Sequence, residues 1–398
     1  MDERPFPTIT ANEMRGINRS AVLNLVRQNG PIARTDIAAV LQISLMTVIR
    51  IVDELIANDF IRLTGKKEFS GGRRRPLLEF NSDGHLVIGV NVDENRLYGA
   101  VADLAGKIII EISQPQEIPG KIQYQPLESF IESLIKSAQE TGKHILGIGV
   151  GAPGITFVRD GTVCWTPTLE WRDIPVKEKL QDRFHLPVIM DNDVNLAALG
   201  EMWFGAGQNC SNLVLMIVGR GIGAGVIIDG AVYRGSHLTA GEIGFLLPDR
   251  SHLGIPREGI GALESLASCA TILEKSRLAL KARRQPDVLA ALTIEDVFAA
   301  YRREEEWSQS VITDFLDHLA QTIAAITVCY DPESIILSGE IAPVADILIE
   351  PILKRLEGVI PVCPRLVVSK LEQQATILGT ILEILHTTAD FYTVRKLS

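Results

Sequence analysis

Two carboxylates and two amides stand together in the stretch Asp191-Asn192-Asp193-Val194-Asn195. The short apolar run from 186 to 190 before it predicts a buried strand, and a helical pattern begins at about Leu196. In open α/β sheets, ligands bind outside the carboxyl ends of the strands, where such a strand gives way to a helix. We therefore expect this stretch to form the floor of a small-molecule pocket. The alternative is that Asp193 or Asn195 only caps the following helix.

Length and composition are those of a soluble globular protein with two or three domains. The chain has 398 residues, of which 46% are hydrophobic and 22% charged. No apolar run approaches the roughly 20 residues that a membrane helix needs. The five cysteines form no Cys-x-x-Cys pair, and the first ten residues are polar and acidic rather than a signal peptide. We therefore expect a cytoplasmic protein.

The net charge of −10 is unevenly distributed. Residues 1–84 hold 12 Lys and Arg against 10 Asp and Glu, a balance of +2, and the remaining 27 and 39 give −12. A weakly basic N-terminal module is thus joined to a strongly acidic body, so the whole-chain charge does not exclude nucleic acid as a partner.

Residues 1–84 follow the pattern of a winged helix-turn-helix. Apolar spacing predicts one helix over about 17–28, which Asn29-Gly30-Pro31 ends, and a second over Arg34–Leu41. Ser44 is a good N-cap for a third helix. That helix should bury Leu45, Val48, Ile49, Val52, Leu55 and Ile56, and expose Met46, Thr47, Arg50, Asp53 and Glu54. Two short strands, 60–64 and 76–80, should form the wing.

This module predicts binding to double-stranded DNA. Exposed residues at the start of the third helix could reach base edges in the major groove, and an Arg-rich wing tip could enter the minor groove. The candidate DNA contacts are Ser44, Thr47, Arg50, Arg73, Arg74 and Arg75. Two alternatives stay open. The arginine run could be a solvated linker, and Arg50 could pair with Asp53 or Glu54.

The body from residue 85 has the texture of an α/β protein. Three strand patterns, a helix over about 127–141 and a strand over 145–150 give the order β-β-β-α-β, which suggests the ribonuclease-H-like half of an actin-type sugar kinase. We expect a two-lobed fold, with a first lobe over 85–195, completed by a helix over 380–398, and a second over 196–379. The sugar pocket should lie between them. Residues 281–308, rich in Arg and Glu, are predicted to be a solvated excursion.

Six motifs in order resemble those of the ROK family, which groups bacterial sugar kinases with sugar-responsive repressors. They are Gly149–Gly154, Trp165–Pro175, Asp191–Glu201, Gly219–Gly225, Gly235–Gly244 and Ile335–Gly339. The similarity runs from about residue 86 to about 384. The helix-turn-helix in front is similar to that of the repressor branch, which includes xylose and N-acetylglucosamine repressors.

The resemblance implies a sugar pocket. Matching positions give Gly151, Asn192, Asp193, Glu242 and Glu264 as sugar contacts, with Asp193 at the position of the kinases' catalytic base. Such side chains suit a sugar because each hydroxyl needs an oriented donor and acceptor. The alternative for Glu242 and Glu264 is a surface carboxylate or a helix-end charge.

Two departures from the family pattern predict lost chemistry. Where the kinases carry Asp-x-Gly-Gly-Thr for phosphate, this chain has Asn91-Val92-Asp93-Glu94-Asn95, and Arg220 replaces a Thr in the second glycine-rich loop. ATP binding and kinase activity are therefore expected to be absent. The family's zinc-ligand positions hold Phe245, Ile255, Arg257 and Ala262, so we expect no structural zinc and no other cofactor.

The sequence therefore predicts a transcriptional regulator, most simply a repressor, whose degenerate sugar-kinase body senses a monosaccharide. A homodimer or higher homo-oligomer is expected because palindromic operators need two DNA-binding copies. The alternatives are an active sugar kinase with a DNA-binding appendage and a regulator controlled by a protein partner.

Overall fold

The structure is a computed structural model that describes residues 11–70, 73–93, 95–115, 124–166, 169, 171–257, 259–282 and 292–388. Its described residues divide into two compact units. Unit 1 holds the chain up to Val150, Pro175–Met190 and the chain from Thr380 onward, and unit 2 holds Gly151–Ile174 and Asp191–Gly379. The domain boundaries expected from the sequence stay a prediction.

The N-terminal module is a helix-turn-helix with a wing, as predicted. Its elements are α1 (Ala11–Asn29), β1 (Ile32–Ala33), α2 (Arg34–Leu41), α3 (Leu45–Ala57), β2 (Ile61–Ser70) and β3 (Arg73–Phe80). The three strands form one sheet in the order β1-β3-β2. Val22, Ile37 and Leu78 are fully buried, so helices and wing share a core.

The apolar stripe of α3 differs from the prediction at both edges. Val48, Ile51, Val52 and Leu55 are buried, at the i, i+3, i+4 and i+7 spacing of one helix face. Leu45 begins the helix and is 42% exposed, and Ile49 and Ile56 are only part-buried. The prediction was wrong for Leu45 because its position at the very start of the stripe lies beyond the buried part of the face.

The first α/β sheet has the predicted order of elements. They are β4 (His85–Val92), β5 (Arg96–Asp103), β6 (Ile108–Pro115), α4 (Tyr124–Gln139), β7 (His144–Ala152), β8 (Ile155–Phe157), β9 (Thr162–Thr166), β10 (Trp171–Pro175), α5 (Val176–Phe184) and β11 (Val188–Asn192). The main sheet runs β11-β7-β4-β5-β6, and β10-β9-β8 form a small sheet of their own.

The second half repeats this strand order. After α6 (Asp193–Phe204) come β12 (Leu213–Val218), β13 (Ile222–Ile228), β14 (Ala231–Val232), α7 (Glu264–Ala267), α8 (Cys269–Ala282), α9 (Ile294–Arg302), α10 (Glu306–Tyr330), β15 (Ser334–Ser338), α11 (Asp346–Leu356), β16 (Leu366–Val368) and α12 (Gln374–Thr388). The sheet runs β14-β13-β12-β15-β16. In each half the strands therefore stand in the order third, second, first, fourth, fifth, which confirms a duplicated ribonuclease-H-like fold.

Two helices of unit 2, α9 and α10, bury residues that bear on the sequence-based predictions. Val297 and Phe298 of α9 are fully buried, so the solvated excursion expected over 281–308 was wrong for this part. Within the described ranges, α10 alone is long and apolar enough to cross a membrane, and 56% of its most apolar window is buried. That burial is expected of a core helix.

Candidate functional site

An open cleft lies in unit 2, and its empty volume of about 280 Å³ includes solvent space at its mouth. Its lining comes from the start of α6, from β13 and from the segment that follows β14. The lining residues are Asn192, Val194, Asn195, Gly223, Ala224, Leu238, Ala240, Gly241 and Glu242.

Asn192 caps α6 and also lines the cleft. Its Oδ1 accepts hydrogen bonds from the N–H groups of Val194 at 2.9 Å and Asn195 at 3.1 Å, and its Nδ2 donates to the carbonyl of Gly154 at 3.1 Å. Asn192, rather than Asp193 or Asn195, is therefore the N-cap of α6. The three bonds fix the Asn192 amide before any ligand arrives.

Asp193 is the first residue of α6, where the helix dipole favours a negative charge. Its Oδ1 accepts the N–H of Val194 at 3.0 Å, and its carbonyl accepts the hydroxyl of Thr376 at 3.3 Å. A Cβ on Gly151 would lie 3.3 Å from the Asp193 Cα and 2.5 Å from the Thr376 Cγ2. Gly151 and Asp193 are therefore neighbours, next to the cleft but outside its lining.

Glu242 and Glu264 lie close enough to repel each other. Burial raises the pKa of Glu242 above its ordinary value, and the negative charge of Glu264 raises it further. Glu264 opens α7, and its Oε2 accepts the N–H of Ile222 at 3.0 Å. Two carboxylates held in this way are strong acceptors for hydroxyl donors, and their mutual repulsion falls when a ligand donates to them.

Gly241 allows Glu242 to reach the cleft. Its φ is +92°, and its carbonyl accepts the N–H of Ala224 at 2.8 Å. An added Cβ would lie 1.9 Å from the Ala224 carbonyl oxygen. Only glycine permits this close approach to β13.

An ion pair that the sequence patterns did not predict supports the floor of the cleft. The buried Asp191 accepts Arg234 Nη2 at 2.5 Å and Nε at 3.1 Å on its Oδ2. Its Oδ1 accepts the N–H of Asn192 at 2.7 Å and the Nδ2 of Asn195 at 3.4 Å. Asp191 lay inside a motif, but its partner is 43 residues away and no local periodicity links the two.

Acidic groups lie in or beside the two loops that the family resemblance assigns to phosphate binding. A Cβ on Gly219, at the start of the glycine-rich loop, would lie 3.2 Å from the Oε1 of Glu340. In unit 1, the N–H of Asn95 donates to the Oδ1 of Asp93 at 2.9 Å, which closes the turn between β4 and β5. Glu94 lies outside the described residues. Each carboxylate would repel a phosphate placed beside it.

In unit 1, the candidate DNA contacts at the start of α3 reach the surface: Ser44 and Arg50 are exposed and Thr47 is partly exposed. Ser44 caps the helix, because its Oγ accepts the N–H of Thr47 at 3.1 Å. Arg50 is exposed. The two carboxylates considered as its partners bind elsewhere: Asp53 pairs with Arg34 at 2.8 Å and Glu54 with Arg15 at 2.6 Å. Arg50 is therefore presented to solvent.

The wing arginines differ from one another. Arg75 Nη1 donates to Asp36 at 2.7 Å and to the hydroxyl of Thr35 at 2.9 Å, so this residue ties the wing to α2. Arg73 and Arg74 belong to β3, but their side chains lie outside the described residues. The predicted minor-groove contacts stay predictions.

The residues at the family's zinc positions do not fit zinc. Phe245, Ile255 and Ala262 have no ligand atom, and Arg257 is a cation. Arg257 donates instead to the Nδ1 of His252 at 2.8 Å and to the hydroxyl of Ser265 at 3.2 Å. Among the residues that the structure describes, no group of three His, Cys, Asp or Glu could hold a metal ion.

Curated relatives include both regulators and kinases. The chain is 28% identical over 390 residues to the xylose repressor of Caldicellulosiruptor bescii, with 95% of this chain and 98% of the repressor covered. It is 31% identical over 291 residues to a glucokinase of Halalkalibacterium halodurans, with 68% and 85% covered. Similarity to the repressor includes the N-terminal module, whereas similarity to the kinase spans a shorter part of the chain.

A solved structure of a regulator matches almost the whole chain. A ROK family transcriptional regulator, a homologue of the Escherichia coli MLC protein, superposes with a TM-score of 0.83 at 25% identity, covering 95% of this chain and 98% of that one. Residues 17–62 match winged helix-turn-helix DNA-binding domains, and residues 87–386 match the ROK family. The chain therefore belongs to the ROK family and carries a winged helix-turn-helix domain ahead of its ROK domain.

Proposed function

We propose that this protein is a sugar-responsive DNA-binding transcriptional regulator, acting as a repressor, and that it does not phosphorylate its sugar. One observation supports the proposal most directly: a winged helix-turn-helix precedes a ROK domain whose cleft is lined by one carboxylate and two amides, while other carboxylates stand at the loops that match the family's phosphate loops. Such a domain can recognise a sugar without a phosphate donor.

The ligand is a monosaccharide bound through its hydroxyls. Asn192 and Glu242 line the cleft, and Asp193, Glu264 and Gly151 lie beside them. Carboxylate oxygens accept hydroxyl protons in hydrogen bonds, and the same acceptance at Asp193 would begin catalysis only if a phosphoryl donor were present. A relative named xylose repressor makes D-xylose the first sugar to test, together with D-glucose and N-acetyl-D-glucosamine.

Loss of kinase activity follows from charge. A nucleoside triphosphate would meet Glu340 at the glycine-rich loop. In the first phosphate loop, Asp93 and Glu94 stand where the family pattern has two glycines. Without the glycines, backbone N–H groups cannot approach the phosphates closely. Asp193 then serves as a hydroxyl acceptor rather than a base.

The partners are an operator in double-stranded DNA and a second copy of this chain. Two-fold operators match two-fold proteins, and each copy would offer one α3 helix to a half-site. Action on DNA and five cysteines without disulfides support a cytoplasmic location. The sugar must bind the DNA-competent and DNA-incompetent states with different affinities, a coupling of typically about 1–3 kcal/mol.

A gel-shift assay on the DNA upstream of the protein's own gene tests the proposal. Operator binding should weaken when the correct sugar is added. Glu242→Gln should keep operator binding and lose the sugar response, whereas Glu274→Gln, an exposed carboxylate on α8, should keep both. Operator binding that no sugar changes would refute sugar sensing and favour control by a protein partner. The absence of binding heat with every sugar in calorimetry would support the same conclusion.

The second candidate is an active sugar kinase with a DNA-binding appendage. It is favoured by Asp193 at the base position and by the glucokinase relative. A coupled assay with ATP and the same three sugars separates the two candidates. Turnover that disappears in Asp193→Asn would establish the kinase, and no turnover in the wild type supports a pure regulator.

A further inference from the structure

Asn195 carries a hydrogen-bond acceptor that the fold leaves unused. The residue lies in the first turn of α6, lines the cleft and is only 7% exposed. Its Oδ1 has no hydrogen-bond partner among the described residues. Buried amide oxygens are nearly always paired, so an unpaired one in the wall of a ligand cleft points to a donor on the ligand.

The orientation of this amide is set by Asp191. Both carboxylate oxygens of Asp191 already accept hydrogen bonds, one from the Asn192 N–H and the other from Arg234. An ionised carboxylate only accepts, so the Asn195 group that faces it at 3.4 Å must be the NH₂. The amide therefore cannot flip, and its oxygen is directed away from Asp191.

Arg234 forms a buried ion pair with Asp191. Its two nitrogens bind one Asp191 oxygen, and this charge pairing compensates for the burial of the carboxylate. Arg234 follows β14 and precedes the segment that carries Glu242, so the same ion pair joins the two sides of the cleft lining.

We propose that Asn195 is a specificity-determining residue whose Oδ1 accepts a hydrogen bond from one hydroxyl of the bound sugar, with Asp191 and Arg234 as its positioning residues. The inference rests on the proposed sugar-sensing function. It adds a contact that the motif comparison did not assign, since Asn195 was considered only as a helix cap. Because Oδ1 can only accept, the sugar must present a donor at that position.

The chemical consequence is selective rejection of analogues without that donor. A monodeoxy sugar lacks the hydroxyl, and a deoxyfluoro sugar keeps an electronegative atom that cannot donate. Both leave the Asn195 oxygen buried and unpaired. We expect each to bind about 10- to 100-fold more weakly than the parent at one hydroxyl position.

Calorimetry on the full chain tests this, with whichever of D-xylose, D-glucose and N-acetyl-D-glucosamine binds and with its complete set of monodeoxy and deoxyfluoro derivatives. In Asn195→Leu the parent sugar should lose affinity, and the parent-to-deoxy ratio should fall to about one at a single hydroxyl position. Ratios at the other positions should stay as in the wild type. Arg234→Ala should reduce the same ratio, and Arg234→Lys should restore part of it.

A purely structural role predicts a different result. It would weaken all sugars equally and leave every ratio unchanged, which would overturn the inference while leaving sugar sensing intact. Asn195→Ala is a second variant in case Asn195→Leu fails to fold. If neither folds, the wild-type series decides. The contact is refuted if no hydroxyl position shows similar losses of affinity for its deoxy and its deoxyfluoro derivative. Failure of all three parent sugars to bind would contradict the proposed function itself.

Discussion

Among single residues, Glu242 combines a proposed sugar contact with a cost in stability. Its burial and the neighbouring Glu264 raise its pKa, so the folded state favours the protonated carboxyl. A raised pKa contributes stability that is complete at low pH and declines as the pH rises through the folded-state value. The folded protein therefore disfavours the ionised form of Glu242, and a sugar hydroxyl that donates to this carboxylate would offset part of that cost.

Glu242→Gln should raise the thermal midpoint at pH 7 and lower sugar affinity. The gain in midpoint should shrink as the pH falls toward the ordinary carboxyl value of 4.5, where the wild-type side chain is also neutral. Thermal unfolding of the two proteins between pH 4 and 8 measures the difference, with Glu274→Gln as the exposed control. A variant less stable than the wild type at pH 7 would contradict the account of the pKa.

At the scale of elements, sequence patterns located helices and strands better than they located contacts. The bounds of α2 and the cap at Ser44 follow from local signals, because a helix period and a capping residue lie within a few positions. Three features do not follow from local signals, because each depends on chain segments brought together by folding. They are the exposure of Leu45, the Arg75–Asp36 pair and the Asp191–Arg234 pair.

The start of α3 offers a prediction that separates stability from DNA binding. Ser44→Ala removes the cap and should cost about 1 kcal/mol of stability. Ser44→Asp keeps a capping oxygen for the Thr47 N–H but adds a negative charge where DNA phosphates would lie, so stability should be kept while operator affinity falls. Chemical denaturation and fluorescence anisotropy measure the two effects. Full operator affinity in Ser44→Asp would remove Ser44 from the interface.

Arg257 cross-links the segment at which the family resemblance places zinc ligands. Arg257→Ala should lower stability by about 1–2 kcal/mol, because it removes hydrogen bonds to His252 and Ser265. Excess EDTA should leave the thermal midpoint of the wild type unchanged. Arg250→Ala, an exposed arginine on the same segment, is the control. A midpoint that EDTA lowers and added zinc restores would contradict the predicted absence of a metal site.

At the scale of the whole molecule, charge separates the two tasks of the chain. Residues 1–84 carry a balance of +2 and the rest −12, so the body repels the DNA backbone and the N-terminal module must supply the attraction. Linkage is reciprocal: if the sugar weakens operator binding by a given factor, the operator weakens sugar binding by the same factor. The repeated strand order of the two sheets is the common framework on which both the kinases and the regulators of the family are built.

Sugar bound in the cleft is proposed to change the affinity of the protein for its operator. The most direct test is fluorescence anisotropy of the wild-type chain on its operator, with and without a saturating sugar that calorimetry has shown to bind. We expect the sugar to change the operator Kd by about 5- to 150-fold in the wild type and in Glu274→Gln, and not to change it in Glu242→Gln. An operator Kd that is identical with and without the bound sugar in the wild type would contradict this proposal.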